Sequence, residues 1–309
     1  MSQKIVIEVK NLAKQYGSDI ALSNISFSVK KGEIFALLGS DNSGKTSLIE
    51  ILEGLRKPTS GEAIVLGFNI NSTIEMREIK KIIGTLPQDF KTYDNLTVKE
   101  NIQFWGKMYD FMLNPDDLMT LFNLNEYSNV RYKKLPNNIK RKVAFVITLV
   151  NDPELVFLDE PTAGMDQYTK KEIWDLLLSL REKGKTVFLT TNHALEPQAI
   201  ADRVAILHQG SIKDIGSPEE LIDRYSSEKK FIIRCPNVEV KRETIAILDD
   251  IPHSEDEIGD IFVSSDEIIL SELLEKLERA NVKYSDVITQ RPTLNDVFLV
   301  LTGHQLKRI

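Results

Sequence analysis

The 309-residue chain has a single cysteine, Cys235, which excludes an internal disulfide framework and a cysteine-cluster zinc site and fits a reducing cytosol. Its four histidines are scattered without metal-ligand spacing. No apolar stretch approaches the about 20 residues that a membrane-spanning helix needs. The longest, Val143 to Val150, reads as one buried helix face. Met1-Ser2-Gln3-Lys4, ahead of Ile5–Val9, carries no signal-peptide pattern. A cationic excess is missing too. Lys and Arg number 39 against 46 Asp and Glu, a net charge of −7, so no general nucleic-acid-binding surface is expected. There is no low-complexity block and no internal repeat.

What remains is an ordinary globular composition, 42% hydrophobic and 28% charged, in a chain long enough for one large core and a smaller second domain. The first segment is rich in strands: Ile5–Val9, Ile25–Val29, Ile34–Leu38, then Gly61–Phe68 and Ile82–Leu86. From about Asp89 to Val150 the pattern turns helical. Thr97-Val98-Lys99-Glu100 reads as a capping box opening a helix to about Tyr109, and Asn114-Pro115-Asp116-Asp117 opens a second. Asn137 or Asn138 is expected to cap a third, from about Lys140 to Val150. Strands then alternate with helices: Leu155–Leu158, Lys170–Lys183, Thr186–Thr190, and a hairpin of Val204–His208 with Ser211–Ile215 around Gln209-Gly210. That alternation argues for a mostly parallel sheet with the site at its strand ends. A short helix from Ser217-Pro218-Glu219-Glu220 leads to a linker over 225–230. A small α+β segment follows, with strands Phe231–Arg234 and Asp260–Val263 and helices Leu270–Ala280 and Thr293–Leu301. The expected domains are 1–226, with a helical insert over about 89–150, and 227–309.

Chemistry concentrates in Gly39-Ser40-Asp41-Asn42-Ser43-Gly44-Lys45-Thr46, preceded by the apolar run Ile34–Leu38 and followed by the amphipathic Ser47-Leu48-Ile49-Glu50-Ile51-Leu52. This GxxxxGK[ST] pattern at a strand-to-helix junction makes a cradle of backbone N–H groups for phosphates. Lys45 reaches the terminal phosphates and Thr46 offers its hydroxyl to Mg²⁺. The whole loop with Ser47 is the expected nucleotide-binding set. A second element, Leu155-Val156-Phe157-Leu158-Asp159-Glu160, is an apolar strand ending in two acids. Phosphoryl transfer needs one carboxylate in the magnesium shell and another group to position or deprotonate water, roles that suit Asp159 and Glu160.

The loop, then Leu86-Pro87-Gln88, then Leu158-Asp159-Glu160-Pro161-Thr162-Ala163-Gly164-Met165-Asp166 resemble the ATP-binding subunit of an ABC transporter over roughly residues 5–225. The resemblance implies an α/β P-loop NTPase fold with an antiparallel β subdomain and a helical insert, followed here by the small α+β C-terminal domain. It implies a head-to-tail dimer in which each ATP lies between one subunit's phosphate loop and the other's signature motif. Tyr16 would stack on adenine, Gln88 would touch magnesium or the attacking water, and Asp166 would reach across the dimer. The helical insert would meet a separate transmembrane permease subunit on the inner face of the membrane. The segment from Arg291-Pro292-Thr293-Leu294-Asn295-Asp296 to Gly303 is similar to the closing segment of drug-resistance-type ABC exporters.

Two motifs depart from the family. Where its signature reads Leu-Ser-Gly-Gly and then a basic stretch, this chain has Leu135-Pro136-Asn137-Asn138-Ile139-Lys140-Arg141-Lys142. Pro136 has neither hydroxyl nor N–H. The switch histidine's register holds Asn192, with His193 one residue late, so Asn192 and His193 are both candidates for its catalytic role. Asp41, where the family often has asparagine, is expected to face solvent, because an acid beside phosphate is unfavourable.

The resulting expectation is an ATPase subunit of weak or asymmetric activity that drives export with ATP and Mg²⁺. It would dimerise with itself or with another ATP-binding subunit. A regulatory or structural nucleotide-binding subunit with little hydrolysis is the alternative.

Overall fold

The computed structural model describes residues 4–225, 229–249, 251–255, 260–265 and 270–306. Strand β1 (Ile5–Tyr16) pairs antiparallel with β2 (Asp19–Lys30) across the turn at Gly17-Ser18. Both are longer than the sequence pattern suggests, because register shifts along β1 interrupt the period-two alternation. Next come the fully buried β3 (Ile34–Leu38), α1 (Lys45–Leu52), β4 (Ser60–Val65) and the two-residue β5 (Phe68–Asn69). The expected strand over Gly61–Phe68 is thus two pieces with a turn between them. Strands β2-β1-β4-β5 form one antiparallel sheet.

A helix that strand-biased reading overlooks, α2 (Thr73–Ile82), is capped by the Ser72 side chain accepting from Glu75 N–H and leads into β6 (Ile83–Leu86). The helical segment contains α3 (Val98–Gly106), α4 (Pro115–Leu121) and α5 (Asn137–Thr148), with 3-10 turns at Asn125–Tyr127 and Tyr132–Lys134. The capping box of Thr97 and Glu100 is present, and Asn114 caps α4. The third cap is a correction. Neither asparagine caps α5: both are helical, and Pro136 holds the N-cap with no side-chain bond. Proline suits a helix start because its φ is already set and its missing N–H has no helical role there. Its carbonyl accepts the first helical bond, from Lys140 N–H at 2.9 Å.

The second half supplies β7 (Leu155–Asp159), α6 (Gln167–Glu182), β8 (Thr186–Thr191), α7 (Leu195–Ile200), β9 (Arg203–His208), β10 (Ser211–Gly216) and α8 (Pro218–Tyr225). A six-stranded sheet in the order β10-β9-β3-β8-β7-β6 results, parallel except for the β9–β10 hairpin. An aromatic row joins the two sheets. Phe27 of β2 stacks on Phe35 of β3 with ring centroids 5.3 Å apart, and Phe35 on Phe188 of β8 at 5.7 Å. These rings sit in the main core with Leu48, Ile51 and Phe157. Burying such rings contributes about 1.5–3 kcal/mol each, so the phosphate loop is mounted on rigid ground.

Backbone contacts divide the chain into one unit of Met1–Pro218 with Gln305–Ile309 and another of Glu219–His304. The second holds β11 (Lys229–Arg234), α9 (Val238–Ile247), β12 (His253–Glu255), β13 (Ile261–Ser265), α10 (Leu270–Arg279), β14 (Asp286–Gln290) and α11 (Leu294–Thr302). Its antiparallel sheet runs β12-β13-β11-β14 over a core containing Phe231, Ile233, Leu273 and Leu277. Thr293 and Asp296 form the capping box of α11. Residues 226–228 of the expected linker lie outside the described residues.

Candidate functional site

Strand register assembles the site. Leu38 at the end of β3 pairs with Thr191 of β8, Asp159 at the end of β7 pairs with Thr190, and Leu86 at the end of β6 pairs with Leu158. Four parallel strands therefore stop at one level. Whatever follows them emerges at a common edge: the phosphate loop, Asn192, Glu160 and Gln88. Residues 72 to 151 positions apart in sequence meet because β8 inserts between β3 and β7.

The loop wraps its own lysine. Lys45, 5% exposed, donates through Nζ to the Gly39 and Ser40 carbonyls, both at 2.9 Å, and lies 3.6 Å from the Glu160 carboxylate. Gly44 has φ +108°, and a Cβ there would stand 2.5 Å from the Ala21 carbonyl oxygen, so only glycine fits. Thr46 donates to Asp159 Oδ2 at 3.1 Å, while Thr190 donates to the other Asp159 oxygen. Gln88 Nε2 donates to Glu160 Oε2 at 3.2 Å. Glu160 itself sits at φ +46°, a left-handed backbone uncommon outside glycine and of the kind that collects at working sites.

An open cleft of about 740 Å³ lies over these groups, within the usual range for a small-molecule site. Of the candidate residues, Tyr16, Asp41, Asn42, Gly44, Lys45, Thr46, Ser47, Gln88, Glu160 and Asn192 line it. Gly39 and Ser40 serve as acceptors for Lys45, Ser43 is buried, and Asp159 stands behind Thr46. His193 is not among the lining residues; its backbone N–H donates to Thr191 Oγ1 at 3.1 Å. Tyr16 lies at one end of the cleft, its hydroxyl 3.2 Å from Ser47 Oγ and its ring faced by Lys14 at 4.9 Å and Arg56 at 5.3 Å.

Burial lowers the pKa of Lys45, and the carboxylates of Glu160, Asp41 and Asp159 oppose that shift. Burial raises the pKa of Glu160, opposed chiefly by Lys45. One buried cation thus faces three acids, two of them the pair expected from the sequence. The third, at position 41, faces solvent as the sequence leads one to expect. It is also anchored inside the cleft, where Asn192 Nδ2 donates to its Oδ1 at 2.8 Å. The two departures from the family residues at 41 and 192 are one contact.

Sequence reading missed Asp19, Ile20 and Ala21, which line the cleft from the start of β2. It also missed Arg141, which the sequence offers only as the middle of the basic run Lys140-Arg141-Lys142. The guanidinium turns inward onto the backbone behind the acids. No local signal distinguishes it from its neighbours.

Thr46, Asp159 and the Gln88 amide present hard oxygen donors of the kind Mg²⁺ takes, and Thr46 and Asp159 are already in contact. That donor set fits the cation.

Comparisons with known proteins bear on the family and the fold. The ABC transporter family model matches residues 22–163. The chain is 30% identical over 312 residues to the linearmycin resistance ATP-binding protein LnrL of Bacillus subtilis (strain 168), covering 98% of this chain and 100% of that protein. It is 32% identical to the Nod factor export ATP-binding protein I of Rhizobium meliloti (strain 1021), over 98% and 90% of the two chains. Among solved structures it is similar to a dimeric ATP-binding cassette in a post-hydrolysis state bound to ADP and Pi. That match has 26% identity, a TM-score of 0.63, and covers 68% of this chain and 98% of the other. With a relative aligned end to end and the family model lying across the cradle, this chain belongs to the ABC transporter family, and its first unit has the P-loop NTPase fold of an ABC ATPase.

Proposed function

We propose that the chain is the ATP-binding subunit of an exporter, coupling ATP binding and hydrolysis to substrate movement through a separate membrane subunit. The carrying observation is the meeting of Lys45, Glu160, Thr46, Asp159 and Gln88 under one cleft. ATP enters with its adenine on Tyr16 and its phosphates on the N–H groups of the loop. The terminal phosphate replaces Glu160 as the counter-charge of Lys45. Glu160, released and raised in pKa by burial, then orients and deprotonates the attacking water, with Gln88 holding its carboxylate. Thr46, Asp159 and Gln88 would hold Mg²⁺, which would supply charge neutralisation.

Two copies, or this chain and a second ATP-binding subunit, close head to tail so that the start of α5 faces the partner's nucleotide. Pro136 brings no hydroxyl and no N–H to that contact, and Asn192 replaces an imidazole donor. The position-192 change affects the ATP held by this chain's own Lys45, and the Pro136 change affects the partner's. In a homodimer both sites carry both changes. Beside an intact chain each site carries one, and turnover becomes asymmetric. This favours a heterodimer and slow hydrolysis. Among the described residues no helix is long and apolar enough to cross a membrane, which supports a peripheral subunit held on the inner face by its permease. The Asn192–Asp41 bond favours a second reading, a nucleotide-holding regulatory subunit that scarcely hydrolyses.

Phosphate release by the purified chain, with and without its membrane partner, separates the two. Under the motor reading turnover is measurable, rises with the partner, and collapses by about a hundredfold or more in Glu160→Gln. Turnover indifferent to Glu160→Gln overturns it.

A further inference from the structure

Arg141 projects from the second turn of α5 into the backbone behind the site. Its Nε donates to the Pro161 carbonyl at 3.0 Å, Nη1 to those of Gln88 at 3.1 Å and Pro87 at 3.4 Å, and Nη2 to those of Glu160 at 2.9 Å and Asp159 at 3.3 Å. A guanidinium has five N–H donors, and five carbonyls are matched to them. The acceptors come from two segments far apart in sequence. One carries Gln88 and the other carries Glu160. Burial lowers the guanidinium's pKa, and the Asp159 and Glu196 carboxylates oppose that most strongly.

Arg141 is not among the residues lining the cleft, so it acts only through the segments it holds. It lies about one helical turn, roughly 6 Å, from the start of α5. We propose that Arg141 is a positioning residue that clamps the Gln88 and Glu160 segments to α5, so that these two side chains move with that helix as one body. Since α5 starts at the surface read above as facing the partner's nucleotide, the clamp ties each chain's catalytic pair to the other chain's ATP. That last consequence rests on the proposed dimeric ATPase; the clamp itself does not. A lysine cannot replace it, because three donors on one atom do not span carbonyls on both segments.

The test compares full-length wild type with Arg141→Gln and Arg141→Lys. In nucleotide-free protein, hydrogen exchange at residues 86–90 and 160–164 is expected to quicken about tenfold or more in both variants, with β3 and α1 unchanged. ATP affinity stays within about twofold of wild type, while single-turnover hydrolysis slows about ten- to a hundredfold. Exchange rising uniformly over the first unit would make Arg141 merely stabilising and overturn the clamp. Full recovery by Arg141→Lys would overturn the need for the fork. An affinity loss equal to the rate loss would overturn a positioning role. If Arg141→Gln does not fold, Arg141→Lys carries the same comparisons. Wild-type protein that binds no ATP would refute the proposed function and leave the exchange comparison to decide the clamp.

Discussion

Replacing Asn192 by histidine asks whether the cleft is locked by a pair rather than lacking one donor. Asn192 Nδ2 donates to Asp41 Oδ1 at 2.8 Å, and a bond to a charged group of this kind is worth about 1.5–3 kcal/mol. An imidazole at position 192 meets the same carboxylate, which holds it protonated and turned toward residue 41. A donor aimed at the terminal phosphate is worth about a hundredfold in rate, or ~2.7 kcal/mol. The two quantities are of equal size, so Asp41 cancels most of what the histidine brings. Asn192→His alone is therefore expected to raise turnover by no more than about fivefold. The Asp41→Asn, Asn192→His double variant should raise it about a hundredfold, with a coupling energy of ~2 kcal/mol between the sites. The assay is phosphate release at saturating Mg·ATP by the purified chain and each variant. Additivity within about 0.5 kcal/mol refutes the paired lock. If the double variant leaves the rate unchanged while His193→Ala abolishes it, His193 is the working donor.

Two further perturbations address binding and stability. Lys45→Ala removes the one cation of the cradle and should weaken ATP binding by roughly tenfold to a hundredfold, read by titration; unaltered affinity refutes a phosphate site there. Glu53 lies at the buried end of α1, and desolvation, helped by the nearby Asp159 and Glu50 carboxylates, pushes its pKa up to about 8. The folded protein therefore keeps a proton that the unfolded chain releases above about pH 4.5. This contribution to stability is full below that value and is lost as pH rises toward 8, at up to about 1.4 kcal/mol per pH unit. Glu53→Gln should remove that slope, so its advantage over wild type in denaturant unfolding grows between pH 5 and 8. Parallel curves for the two proteins would show Glu53 ionised throughout.

Much of the fold is written locally. The apolar Ile34–Leu38 and Leu155–Leu158, the capping box at Thr97 and the Asn114-Pro115 start each fold as their residues dictate, because propensity and capping act within a few residues. Elements that depart do so for stated reasons. Register shifts hide the length of β1, and α2 follows a loop whose cap at Ser72 does not stand out among Asn71, Ser72 and Thr73. In the second unit, β12 and β14 are short strands whose place depends on neighbours distant in sequence.

The same division holds at the site. The sequence alone determined which groups are present, because a glycine-rich loop with Lys45 and an apolar strand ending in Asp159 and Glu160 have a chemistry that follows from residue type and spacing. Tertiary structure decided how those groups are used. The parallel register around β8 brought Asn192 against Asp41, turning two isolated oddities into one hydrogen bond. It also turned the half-buried Arg141 inward from a basic run, so that it grips the backbone of both catalytic segments. Strand order and burial are long-range consequences of packing the whole core, and no window of neighbouring residues encodes them.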